Sequence, residues 1–148
     1  MVLQAIHDYR EIERSSWNQV NQEIIRRIHQ LAFPPDCQPL ENTHILDLSP
    51  NGFIKPHIDS IRFCGDVIAG LSLLSDCIMR FTHEKNKDMM ADAKLSRRSL
   101  YIMSGAVRYE FNHEVLSPEA SQFKGQVVPR GRRISVISRV HPRPENLQ

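Results

Sequence analysis

The chain has 148 residues, 41% of them hydrophobic and 24% charged, with a formal net charge of +2. That length and composition predict one globular domain over 1–148 with its own buried core, and the charge is too close to neutral to argue for a polyanionic partner. No apolar run approaches the ~20 residues of a bilayer-spanning helix, so no membrane span is expected.

In chain order, the opening residues show no basic segment followed by a long apolar run, and Asp8, Glu11 and Glu13 are unlike a transit peptide. No targeting signal is legible there. Val20, Ile24, Ile28 and Leu31 then recur at helical spacing, which predicts a helix over about 16–32 with these residues as its packing stripe. Ser16-Trp17-Asn18-Gln19 fits a capping box at its start, and Pro34-Pro35 ends it. His7 and His29 read as surface or helix-face residues.

After Pro39 the pattern changes to short runs broken by turn residues. Strands are predicted over 43–48, 53–59, 67–74, 78–82, 99–103, 108–113 and 133–139, with turns at Ser49-Pro50-Asn51-Gly52, Cys64-Gly65-Asp66 and Ser104-Gly105-Ala106. The polar stretch His83–Arg98 reads as a loop. A helix followed by about seven short strands predicts a mainly β fold with an N-terminal helix, a sandwich or jelly roll whose strands occupy about 43–140. Cys37, Cys64 and Cys77 are odd in number and lack CxxC spacing, which favours a reducing compartment over a disulfide framework or zinc ribbon.

The chemistry-bearing stretch is Lys55-Pro56-His57-Ile58-Asp59-Ser60. On an extended strand His57 and Asp59 project to the same side about 7 Å apart. An imidazole and a carboxylate so placed, completed by a second histidine from a distant strand, make the facial triad that binds Fe(II) and leaves coordination positions open. Candidates for the third ligand are His113, at the end of a predicted strand, His83 in the polar stretch and His141 in the Pro-rich tail. Strands position ligands better than loops and tails, which favours His113. On the last strand a period of two places Arg133, Ser135, Ile137 and Arg139 on one face. Turned outward, the two arginines are solvated; turned inward, they need an anion held by their guanidinium forks. Tyr101 can present a hydroxyl from a neighbouring strand or simply fill the core.

Taken together, His57-x-Asp59, a late-strand His113, and Arg133 and Arg139 resemble the signature of the AlkB family of Fe(II)- and 2-oxoglutarate-dependent dioxygenases. The segments Ile54–Ser60, Ile68–Ser75, Ser99–Ile102 and Pro129–Ile137 are similar to the mitochondrial branch of that family. The resemblance runs from near Trp17 to Arg139. It implies a double-stranded β-helix, cupin-like, in which His57, Asp59 and His113 bind Fe(II). Arg133 then holds the distal carboxylate of 2-oxoglutarate, with Tyr101, Ser135 and Arg139 assisting. It also implies O2 as co-substrate, release of succinate and CO2, hydroxylation or demethylation of a substrate, a place in the mitochondrial matrix, and further residues upstream of Met1.

Two features depart from the family members that repair bases. The strand His44-Ile45-Leu46-Asp47-Leu48 lacks their Asn-x-Tyr, and Ala32–Asn42 is too short for a nucleotide-recognition lid. Tyr109, Phe111 and Phe123 are the further aromatics available to a site that must hold a flipped base. Duplex DNA is therefore not an expected substrate; a protein or single-stranded RNA is. Arg97, Arg98, Arg130, Arg132 and Arg143 serve RNA only if they border the iron site. A non-catalytic metal-binding interaction module on the same fold is the alternative.

Overall fold

The computed structural model describes residues 5–148, so residues 1–4 of the stretch searched for a targeting signal lie outside it. The order of elements is β1 (Ile6–Arg14), α1 (Gln19–Ala32), β2 (Thr43–His57), β3 (Val67–Leu73), β4 (Cys77–His83), β5 (Met90–Leu95) and β6 (Ser99–Ser104). There follow α2 (Gly105–Glu110), β7 (Phe111–Val115), β8 (Gln122–Phe123), β9 (Gln126–Val127) and β10 (Arg133–Arg139). Eight strands form one antiparallel sheet in the order β5-β4-β7-β2-β10-β3-β6, with β1 also on β2. No helix of the described residues is long and apolar enough to cross a membrane.

Strand β2 organises the sheet because it changes partners along its length. Its first half pairs with β10, from His44 opposite Ile137 to Leu48 opposite Arg133. Its second half pairs with β7, with Ile54 opposite Val115 and His57 opposite His113. Leu46, Leu48, Ile68, Met79, Met103, Val115 and Ile137 meet in one core, so the sheet wraps around its own interior.

Several expectations need correction. The chain is mainly β, but its helix is not the first element, because β1 precedes it. Only Ile6 of β1 is buried, so the strand has no alternating apolar signal and is held by its ladder to β2. The expected turn at Ser49–Gly52 is a bulge inside one continuous strand. His7 pairs with Phe53 and Tyr9 with Leu48, leaving the residues between to loop outward. Gly52 is required there, since a Cβ would lie 2.8 Å from the Asp8 carbonyl oxygen. The polar stretch after His83 contains β5, paired to β4 and clipped by Arg80 Nε donating to Asp92 Oδ1 at 2.8 Å. The expected strand at 108–113 begins instead as the short helix α2 and becomes extended at Phe111.

Helix α1 packs on the sheet as expected, through a different stripe. Asn18, not Ser16, is its N-cap, accepting from the Asn21 amide at 2.8 Å. Ile25, Ile28 and Ala32 are buried against Ala69, with Leu71, Leu100 and Val136 around them. Val20 and Leu31, at 72% and 71% exposure, face outward. The helix carries two apolar rows, and only the row passing through Ile25, Ile28 and Ala32 meets the sheet. Replacing Ile28 with Ala should cost ~2–5 kcal/mol in urea unfolding through loss of buried area and a residual cavity. Val20→Ala should stay within about 0.5 kcal/mol.

Candidate metal centre

The β2–β7 ladder sets His57 and His113 directly opposite one another, with ring centroids 4.2 Å apart. Asp59 lies two residues beyond the end of β2, 5% exposed, and completes the cluster. One donor atom from each of the three side chains lies within 4.8 Å of the others. The His57 Nδ1–H donates to the Lys55 carbonyl at 2.9 Å; a carbonyl only accepts, so this bond fixes the proton on Nδ1. In the neutral ring Nε2 then presents a lone pair, and it faces Asp59 Oδ1 at 3.3 Å. His113 Nε2 is 3.9 Å from the same oxygen.

The electrostatics sharpen this picture. Burial, reinforced by the neighbouring His57, pushes His113 down to about 3, so its ring is neutral. Burial opposes charge on Asp59 as well, but the neighbouring His57 and the charge of Arg139 outweigh burial and hold it far below the usual carboxylate range. Burial likewise works against a charged His57, while Asp59 and the Lys55 carbonyl raise it above its ordinary value. Among the described residues Asp59 Oδ1 is buried with no hydrogen-bond donor. A carboxylate oxygen and two imidazole nitrogens facing one point call for a cation or proton among them, and the donor set suits a divalent metal of intermediate softness.

Arg133, Ser135 and Ile137 share one face, as the period of two predicts, and the structure turns that face into the same interior, with Arg139 at its edge. Arg133 is 1% exposed; its Nε donates to Ser72 Oγ at 2.9 Å and its Nη2 is buried without a partner among the described residues. That is an anion site in waiting. Arg139 is differently engaged, since its Nε donates to Asp59 Oδ2 at 2.8 Å. Tyr101 lines the cavity, with its ring packed so closely over Gly70 that a Cβ there would clash with it; burial raises its phenol. The inner cavity measures about 30 Å³ and joins, through His44, Asp59 and Arg139, a vestibule of about 730 Å³.

Other candidates fall elsewhere. His83 Nε2 sits 3.7 Å from Glu110, and His141 is exposed on the vestibule wall. Arg97, Arg98, Arg130, Arg132 and Arg143 line neither cavity, nor do Tyr109, Phe111 and Phe123. Sequence reasoning missed Arg108. It is 2% exposed and donates to the carbonyls of Asp59 at 2.8 Å, Gly65 at 2.8 Å and Cys64 at 3.0 Å. Its position on α2, read as strand, hid that role. Ser72 and His44 were missed too; each shares strand parity with core residues, Ile68 and Leu46 respectively, which is the signal that could have placed them inside.

A family model described as the 2OG-Fe(II) oxygenase superfamily matches residues 5–139. The chain is 49% identical over 138 residues to alpha-ketoglutarate-dependent dioxygenase alkB homolog 7, mitochondrial, of Mus musculus, covering 93% of this chain and 62% of the mouse protein. It thus spans less than two thirds of that relative's length. Among solved structures it is similar in fold to OsALKBH1, with a TM-score of 0.60 at 14% identity over 92% of this chain and 79% of that one. A Pseudomonas putida prolyl-4-hydroxylase gives a TM-score of 0.55 at 18% identity over 91% and 71% of the two chains. With the match extending from β1 to the end of β10, this chain belongs to the 2OG-Fe(II) oxygenase superfamily.

Proposed function

We propose that the chain is a single dioxygenase domain of the AlkB type on a double-stranded β-helix, with Fe(II) held by His57, Asp59 and His113, acting in the mitochondrial matrix. The observation that carries this reading is the convergence of three lone-pair donors on one buried point beside an unpaired, buried Arg133 nitrogen. Among the described residues Arg139 takes Asp59 Oδ2 but nothing takes Oδ1 or the remaining Arg133 nitrogen, and a cation with a dicarboxylate co-substrate balances both. When bound, Fe(II) and 2-oxoglutarate supply the oxidation: O2 is consumed, 2-oxoglutarate becomes succinate and CO2, and one oxygen atom enters a substrate C–H bond.

The side chains then have separable tasks. Arg133, steadied by Ser72, holds the distal carboxylate of 2-oxoglutarate, and Ser135 and Tyr101 offer hydroxyls along its length. Arg139 keeps Asp59 ionised and fixes its second oxygen, so that Oδ1 faces the histidines. Arg108 fixes the backbone that carries Asp59 and is a positioning residue. The substrate is a protein or single-stranded RNA. If the oxidised carbon is an N-methyl group, its hydroxymethyl product loses formaldehyde and the net reaction is demethylation.

Adding Fe(II) and 2-oxoglutarate to oxygen-free protein should produce a weak visible charge-transfer band, and 2-oxoglutarate should be consumed once air is admitted. His57→Ala should abolish iron-dependent consumption, and Arg133→Ala should weaken 2-oxoglutarate binding by roughly tenfold or more. A folded, metal-loaded wild type with neither band nor turnover would instead make the fold an interaction module. For Arg108→Gln we expect Mn(II) affinity, followed by electron paramagnetic resonance, to fall about 10–100-fold, as with other groups that orient metal ligands. Unfolding in chelator should show a loss on the order of 3 kcal/mol from the carbonyls left without their charged donor.

A further inference from the structure

We infer that the vestibule admits a lysine- or arginine-bearing peptide segment as substrate, in preference to a nucleic acid. This rests on the metal-centre reading above and names the substrate class of that same site. The vestibule, about 730 Å³, opens directly on Asp59. Its walls carry Glu11 and Glu13 from β1 and Glu41 from the segment leading into β2. Among the described residues the one lysine or arginine in the lining is Arg139, and its Nε is already on Asp59 at 2.8 Å. Glu11 Oε2 is held by His44 Nε2 at 2.7 Å. Among the described residues Glu13 meets only the neutral Asn42 amide, at 3.3 Å, and neither it nor Glu41 is in a salt bridge. At the floor, Asp59 is 5% exposed, its Oδ2 takes the Arg139 guanidinium and its Oδ1 has no hydrogen-bond donor among the described residues, so the passage ends at the metal centre itself.

A phosphodiester strand entering here would meet carboxylates and, among the described lining residues, no unpaired lysine or arginine, whereas nucleic-acid affinity depends on basic groups that displace counterions. Several arginines outside the lining are already engaged. Arg10 and Arg132 pair with Asp47, Arg143 pairs with Asp66, and Arg130 donates to the carbonyls of Gly52 and Leu116. A basic side chain meets the opposite situation. Ile12 and Phe63, 57% and 72% exposed on the same walls, suit the aliphatic stem of a lysine or the face of a guanidinium, while the glutamates neutralise the head. The vestibule therefore selects by charge as well as by size.

The test uses the full chain loaded with Fe(II) and 2-oxoglutarate, and two fluorescent probes, a short lysine-rich peptide and a short single-stranded oligouridine. The peptide should bind with an affinity that falls as salt rises from about 50 to 200 mM and should accelerate 2-oxoglutarate consumption, while the RNA does neither. Glu13→Lys with Glu41→Lys should weaken peptide binding roughly tenfold or more, and the milder Glu13→Gln with Glu41→Gln should weaken it less, each variant first checked by its thermal melt. RNA binding as tight as peptide binding, equal affinity for a glutamate-rich peptide, or no binding by any probe would overturn the proposal. Uncoupled 2-oxoglutarate consumption without any probe reads the metal centre alone. A protein that turns over its co-substrate yet ignores the basic peptide refutes the vestibule and leaves the metal centre standing.

Discussion

An ionised carboxylate sealed inside a protein must be neutralised by what surrounds it, and Asp59 imposes that demand on much of this fold. Its second oxygen takes the guanidinium of Arg139 from the end of β10, 80 residues further along the chain. Its first oxygen faces His57 and His113. Its own backbone carbonyl takes a donor from Arg108 on α2, 49 residues away. Elements from four parts of the chain are thus tied to one residue, and none of the ties is apolar. Aliphatic core residues could fill the same space at lower desolvation cost, so this arrangement trades ease of burial for a site of defined charge.

Strand β2 converts that demand into geometry. The bulge at Ser49–Gly52 lets a single strand lie against β10 with one half and β7 with the other, which brings the arginine face of β10 and the histidine of β7 to the same interior. The outer face of β10 has a different task. Val136 packs under α1, and Ser138 Oγ lies 3.3 Å from His29 Nε2 on the helix. One seven-residue strand is both the floor of the cavity and the seat of the helix.

How much was legible in the sequence depended on whether a residue's signal was local. The period of two in β10 puts both arginines on one face without saying which way that face turns, and His57-x-Asp59 is read from strand spacing although the strand ends at His57; these signals are complete within a few residues. Preference for His113 over His83 and His141 followed from placing ligands on strands, and the structure puts it beside His57. The failures were at places where tertiary pairing overrides local preference. β1 and β5 bury only Ile6 and Leu95 among their apolar residues, so their strand character lies in hydrogen bonds to neighbours distant in sequence. The helix stripe was misjudged because two apolar rows compete on α1 and only the sheet selects between them. Arg108 was beyond reach, since its partners are backbone carbonyls, which no side-chain pattern announces.

The cross-strand placement of His57 and His113 reaches beyond catalysis. These residues are far apart in the chain and are neighbours only while β2 and β7 are paired, so a cation bound by both also fastens that ladder. An unfolded chain offers no such site. Metal availability then acts by mass action on the folded population, adding RT ln(1 + [M]/Kd) to stability, or about 2.7 kcal/mol when free metal is a hundredfold above Kd. An ion held across β2 and β7 would therefore govern how long the folded domain survives, and its removal would thin the folded population.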